Sequence, residues 1–84
     1  MRGTGLVRWG TEVVYAYFTT DGDALRIRVS VDEADKLDVV AGARVRVKLP
    51  GREVAEVLIT AVSRQPPLVW VELAPMISTV SRAG

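Results

Sequence analysis

The feature that most constrains the fold of this sequence is the alternation of aliphatic and cationic side chains in two short segments. In residues 25–31 (LRIRVSV), aliphatic residues alternate with two arginines and a serine. In residues 44–49 (RVRVKL), two arginines and a lysine alternate with two valines and a leucine. A period of two puts successive side chains on opposite faces of a β-strand. Both segments are therefore predicted to be strands with one buried face and one basic face.

The stretch between these strands predicts a short helix. Ser30 lies three residues before Glu33, so its hydroxyl can accept the Glu33 amide hydrogen at a helix N-terminus. Leu37 and Val40 would then face inward, and Gly42 can take the left-handed conformation that ends a helix. A connection this short does not suit a βαβ crossover, which usually needs a dozen or more residues.

Each of these strands has a predicted hairpin partner. Residues 12–19 (EVVYAYFT) are dense in β-branched and aromatic residues, and a turn containing Gly22 joins them to the first strand. Pro50-Gly51 has the type II turn pattern and joins the second strand to residues 53–62 (EVAEVLITAV). There, Ala61 is expected on the same face as Ile59, with Val62 on the opposite face.

Two shorter strands are predicted outside the hairpins, at residues 6–9 and 68–73. The predicted fold is mostly β: a small antiparallel barrel or sandwich of two hairpins around one short helix. We expect residues 6–75 to form this single domain. Residues 1–5 and 76–84 are rich in Gly, Ser and Thr and are expected to be flexible ends.

Composition bounds the function and the assembly. A chain of 84 residues buries a marginal core, yet 49% of its residues are hydrophobic, so a homodimer or higher homo-oligomer is expected. The sequence has no cysteine and no histidine, which removes disulfides, the commonest zinc sites and the Ser-His-Asp triad. No catalytic, metal-binding or cofactor-binding motif is found, so we expect a protein that is not an enzyme and has no cofactor or metal. We find no signal peptide and no apolar run of about 20 residues, so a cytoplasmic protein without membrane contact is expected.

Residues 26–47 follow an order found in one known family. Arg26-Ile27-Arg28-Val29 has the form arginine, aliphatic, any residue, aliphatic, and Ser30 stands at the helix start. Leu37 occupies the position of a key helical leucine, and the stretch of alternating valines from Gly42 to Val47 follows. In these features the chain resembles the AbrB-type swapped-hairpin domain, a cradle-loop barrel of bacterial and archaeal transition-state regulators and antitoxins.

The resemblance implies an interleaved homodimer that presents strand and loop arginines to duplex DNA. Carried onto this sequence, the implied nucleic-acid contacts are Arg26, Arg28, Lys48 and Arg52. Their chemistry would be phosphate neutralisation and bidentate reading of guanine. The formal net charge is only +1, which fits equally well with basic stripes that simply keep an exposed sheet solvated.

The alternative function is a structural or protein–protein interaction module. Several strands have apolar or aromatic residues on both faces, which is typical of a surface that meets a partner. The side chains that would form such an interface are Val13, Tyr15, Tyr17, Leu58 and Trp70.

Overall fold

The computed structural model describes residues 2–22 and 24–76. The strands are β1 (Arg2–Trp9), β2 (Glu12–Asp21), β3 (Ala24–Ser30), β4 (Arg44–Lys48), β5 (Ala55–Gln65) and β6 (Leu68–Pro75), and the helix α1 (Val31–Leu37) lies between β3 and β4. The prediction of a mostly β chain with one short helix is therefore confirmed. Within the described part of the chain, no helix is long and apolar enough to cross a lipid bilayer.

The six strands close into an antiparallel barrel in the order β1-β2-β3-β6-β5-β4, and β4 pairs with β1. The spatial order β4-β1-β2-β3 is a Greek key, because the fourth strand returns by a longer connection to lie beside the first. Both predicted hairpins are present. A single chain supplies every strand of the barrel, so the predicted antiparallel barrel is confirmed.

The aliphatic residues of the alternating strands face the core, as the sequence predicts. Ile27 and Val29 from β3 and Val47 from β4 are buried, and the other strands contribute inner faces of the same kind. Trp9 is only 5% exposed and belongs to this core. No polar or charged residue of the described chain is buried, so hydrophobic burial supplies the interior contacts and every charge lies outside.

Helix α1 lies across the barrel end at which β3 stops and β6 starts. The Ser30 hydroxyl accepts a hydrogen bond from the Glu33 amide at 3.1 Å, as the capping pattern predicts. The helix does not reach Gly42, because Asp38 takes the left-handed conformation (φ 56°, ψ 53°) and ends it after Leu37. This turn buries Val39 and leaves Val40 53% exposed, so the expected inward position of Val40 is wrong.

Strand β1 begins four residues earlier than expected. The prediction that residues 1–5 are a flexible end is wrong for residues 2–5, which pair with residues 16–19 of β2. Gly3 leaves room for the Phe18 ring, since an added Cβ would lie 3.3 Å from Phe18 Cζ. At Gly5 an added Cβ would lie 2.9 Å from Pro50 Cγ. These glycines allow close packing inside a strand. The other predicted flexible end is residues 76–84, and all of it beyond Met76 lies outside the described residues.

A β-bulge in β5 changes which side chains face the core. Ile59 pairs with Leu73, but the next paired residue is Ala61, opposite Glu72, so Thr60 is the extra residue. Ala61 therefore moves to the outer face and Val62 packs against the core. The expectation that Ala61 faces inward and Val62 outward is wrong for this reason.

The close approach of β1 to the β4–β5 turn gives a stability prediction. We expect Gly5→Ala to lower the free energy of unfolding by about 1–2 kcal/mol, because its methyl group overlaps the Pro50 ring. In Gly5→Ala/Pro50→Ala the atom 2.9 Å away is gone, and the added methyl would lie 3.8 Å from the Cβ of residue 50. Urea denaturation should therefore show that the double variant loses less stability than the sum of the two single variants. Strict additivity would contradict this packing.

Candidate functional site

The outer faces of β2, β3 and β6 form one wall, because β3 lies between the other two strands. Arg28 lies opposite both Tyr17 on β2 and Trp70 on β6. Two residues along β3, Arg26 lies opposite Glu72. Strand register thus brings cations and rings from three distant parts of the sequence together. We call Tyr17, Arg26, Arg28 and Trp70 the arginine–aromatic wall.

The four side chains of the wall stack on one another. The Cζ atom of Arg28 lies 4.7 Å from the Tyr17 ring centroid and 5.5 Å from that of Trp70. The Cζ atom of Arg26 lies 4.6 Å from the Trp70 centroid. The Tyr17 and Trp70 rings meet edge to face, with centroids 6.1 Å apart and an interplanar angle of 89°. All three cation–ring distances lie within the range of about 6 Å at which cation–π attraction acts.

Stacking leaves the hydrogen-bonding capacity of both guanidinium groups in place. A guanidinium on a ring face still points its N–H groups outward in its own plane, in a fork that matches phosphate or carboxylate oxygens. Glu72 lies opposite Arg26, but no ion pair forms between them, and Arg28 has no ion pair with the described residues either. The wall therefore offers two fixed, charged donors to an external acceptor.

An exposed apolar surface continues the wall along β2 and onto β1. Tyr15 is 67% exposed and lies opposite Leu6, which is 64% exposed. Val13, two residues from Tyr15 on the same face, is 55% exposed. We call these three residues the apolar strip. The Tyr15 hydroxyl donates to Thr4 Oγ1 at 3.3 Å. Contiguous exposed apolar side chains of this kind are typical of interaction surfaces.

The structure does not bring the four sequence-predicted cations together. Arg26 and Arg28 share the wall, but β4, which carries Lys48, is separated from β3 by two strands in either direction around the barrel. Lys48 therefore lies on the opposite side, and Arg52 lies in the loop after β4.

The predicted interface residues also divide into two groups. Val13, Tyr15, Tyr17 and Trp70 lie on or next to the arginine–aromatic wall. Leu58 lies apart from them: it is half-buried on β5, between Arg44 of β4 and Ala74 of β6.

The end of the barrel opposite α1 contains an open cavity of about 580 Å³. Its lining is largely apolar and includes Leu25, Leu49 and Val57, with Arg52 and Glu53 as its charged members. Among the described residues, no group of three or more acidic, histidine or cysteine side chains could hold a metal ion.

Two of the three acidic residues of α1, Glu33 and Asp35, form ion pairs. Asp35 pairs with Arg64 at 3.4 Å, and Glu33 pairs with Lys36 at 3.6 Å. All four side chains are at least partly exposed, so these pairs contribute little to stability.

Sequence reasoning missed the basic residues of β1 and the stacking on the wall. Arg2 and Arg8 lie on the outer face of β1, and both are exposed. Alternation in residues 2–9 (RGTGLVRW) was the available signal, but two glycines on its inner face obscured it. The stacking of Arg28 on Trp70 depends on the pairing of β3 with β6, which lie about 40 residues apart and which local patterns do not reveal.

Comparison of the chain with protein-family models, with curated proteins and with solved structures finds no match. The resemblance of residues 26–47 to the AbrB type therefore remains an interpretation of the sequence pattern.

The stacking predicts a measurable contribution of one charge to stability. We expect Arg28→Met to lower the free energy of unfolding by about 0.5–1 kcal/mol, because methionine keeps an apolar stem but loses the cation above two rings. Arg44→Met on β4, where the arginine stacks on no ring, is the matched control and should change stability by less than about 0.5 kcal/mol. Equal effects in urea denaturation would contradict a stacking contribution.

Proposed function

We propose that this protein is a non-enzymatic nucleic-acid-binding domain, of the regulator or antitoxin kind that the AbrB-type resemblance implies. The observation that carries the proposal is the pair of guanidinium groups, of Arg26 and Arg28, which lie on ring faces and form no ion pair with a carboxylate of the described residues. Arg2 adds a third cation at the edge of the same surface, opposite Thr19, which in turn lies opposite Arg26.

The geometry favours contact with a duplex from outside over stacking with unpaired bases. Guanidinium groups already occupy ring faces of Tyr17 and Trp70, so those faces are not open to a base. The N–H groups of a fixed arginine can bind phosphate oxygens or the O6 and N7 atoms of guanine in pairs. Because the rings hold these side chains in place, less conformational entropy is lost on binding.

The proposed regulator acts as a homodimer in the cytoplasm. An interleaved dimer would exchange hairpins between two chains and keep the strand pairings described above. Two copies would present two arginine–aromatic walls, which suits a DNA site with two halves. The absence of cysteine is consistent with a reducing compartment.

Removal of the two wall charges tests the proposal. We expect Arg26→Gln/Arg28→Gln to weaken binding to a fluorescein-labelled duplex at least tenfold. We also expect the dependence of log K on log salt to become shallower by about 1.8 for each protomer whose wall contacts the duplex, since each phosphate contact contributes about 0.9. Fluorescence anisotropy between about 50 and 200 mM salt measures both quantities.

The matched control is Lys36→Gln/Arg64→Gln, which removes the same charge from the α1 end of the barrel. It should leave both the affinity and the salt dependence nearly unchanged. A wild-type protein without salt-sensitive duplex binding at micromolar concentration would exclude this function.

The exposed apolar strip favours a second candidate, an interaction module that associates through β1 and β2. We expect the wild-type protein to form a discrete oligomer and Leu6→Ser/Tyr15→Ser to shift it to monomer, because these side chains would be buried in the contact. Val40→Ser is the control, since Val40 is 53% exposed away from the strip. Light scattering of eluting peaks gives the mass, and a wild-type monomer would contradict this association.

A further inference from the structure

Four cations that form no ion pair with the described residues lie together on the side of the barrel away from the arginine–aromatic wall. Arg8 on β1 lies directly opposite Lys48 on β4, both on the outer face. Arg44 and Arg46 precede Lys48 at alternate positions of β4. We call these four residues the cationic seam. Like charges directly opposite each other destabilise a sheet, so this arrangement works against the stability of the free protein.

The surroundings of the seam do not neutralise it. Three carboxylates lie nearby: Glu56 lies opposite Arg46, and Glu12 and Asp38 border the same surface depression as Arg44. None of them forms an ion pair with a seam cation, and the described ion pairs of the chain lie elsewhere, at α1. No aromatic ring of the described residues stacks on the seam cations, in contrast to the wall. The charges of the seam are therefore available to an external anion.

The seam is linear. Alternate residues of a strand lie about 6.6–6.8 Å apart, so the three cations on β4 span about 13 Å. The Gly10 amide donates to the Arg46 carbonyl at 2.8 Å, which places a residue without a side chain beside Arg46. The phosphates of a nucleic-acid strand form a row of regularly spaced negative charges, so a linear row of cations can contact successive phosphates.

We propose that the cationic seam is a second nucleic-acid contact, which binds the phosphodiester backbone without reading sequence. The choice of a nucleic acid over other polyanions rests on the proposed function. The seam lacks the ring-held guanidinium groups of the wall, so it recognises charge spacing and not base edges. Because the wall and the seam lie on opposite sides of the barrel, one protein molecule can contact two segments of nucleic acid.

Neutralising the two cations that lie directly opposite each other tests this assignment. A 20-base-pair duplex bound at the wall is too stiff to contact the seam on the opposite side, so seam binding is measured in Arg26→Gln/Arg28→Gln. Adding Arg8→Gln/Lys48→Gln to that variant should make the slope of log K against log salt shallower by about 1.8 per bound protomer, equally for two unrelated sequences. Adding Lys36→Gln/Arg64→Gln instead removes the same charge and should leave the slope unchanged. Unchanged binding on adding the seam substitutions, beside weaker binding by Arg26→Gln/Arg28→Gln than by wild type, would overturn the seam and leave the proposed function standing. Wild-type binding by Arg26→Gln/Arg28→Gln with loss of binding in Arg8→Gln/Lys48→Gln would support the seam and contradict the wall as the site.

Reversal of one seam charge should raise the stability of the free protein and weaken its binding to a duplex. Lys48→Glu places a carboxylate opposite Arg8 and replaces repulsion with attraction, so the melting temperature of the free protein should rise by about 1–4 °C. The same change, made in Arg26→Gln/Arg28→Gln so that the wall does not contribute, should weaken the remaining duplex binding at least tenfold. A rise in melting temperature with unchanged duplex binding would overturn the proposal.

Binding to two other polyanions tests whether the partner of the seam is a nucleic acid. A polyglutamate peptide and vesicles containing phosphatidylserine are titrated in parallel with the duplex. Wild-type binding to either probe that is tighter than duplex binding and is lost in Arg8→Gln/Lys48→Gln would assign the seam to an acidic protein or to a membrane surface, and would overturn the nucleic-acid assignment.

Discussion

The structure depends on one constraint, which is that the inner face of every strand is apolar and the barrel is closed. Ile27, Val47 and Val71 meet in an interior that holds no polar or charged residue of the described chain. Because a charge cannot enter that interior without a partner, all the cations of the alternating strands must lie on the outside. Closure thus fixes both the hydrophobic core and the charged surface.

Register then decides which outward residues become neighbours. The pairing of β3 with both β2 and β6 places Arg28 between Tyr17 and Trp70, and the pairing of β4 with β1 places Lys48 beside Arg8. The same alternation thus produces two different chemical surfaces. Where rings flank the arginines, the guanidinium groups are held in place; where another cation lies opposite, the charges repel each other.

The sequence predicted those parts of the fold that local chemistry controls. The Ser30 cap, the two hairpins and the inward faces of β3 and β4 follow from residues close together in the chain. The errors occurred where a tertiary contact or one backbone conformation decides the outcome. Gly3 and Gly5 suggested a flexible end because their close neighbours, Phe18 and Pro50, come from other elements. Asp38 ended the helix early, because aspartate is one of the few residues besides glycine that adopt the left-handed conformation.

The candidate site was predictable in kind but not in arrangement. Alternation identified Arg26, Arg28 and Lys48 as outward-facing cations, which the structure bears out. It could not show that Lys48 lies on the opposite side from Arg26, because strand order in a closed sheet depends on pairings between distant segments. The bulge at Thr60 likewise depends on how β5 fits β6, and it moved Val62 to the core.

Closure of the sheet also limits how this protein can recognise anything. Each of the six strands has a neighbour on both sides, so no strand of the described barrel is an edge strand along its whole length. The contact between β1 and β4 is short, however, and pairs only Arg8 and Trp9 of β1 with Lys48 and Val47. Recognition by β-augmentation, in which an extended peptide joins a sheet, is therefore confined to stretches that a neighbouring strand leaves unpaired, such as the part of β1 before Arg8. Elsewhere a partner must be selected by side chains on the barrel surface or by the loops at its ends, so surface substitutions there can change specificity without disturbing the hydrogen-bonded frame.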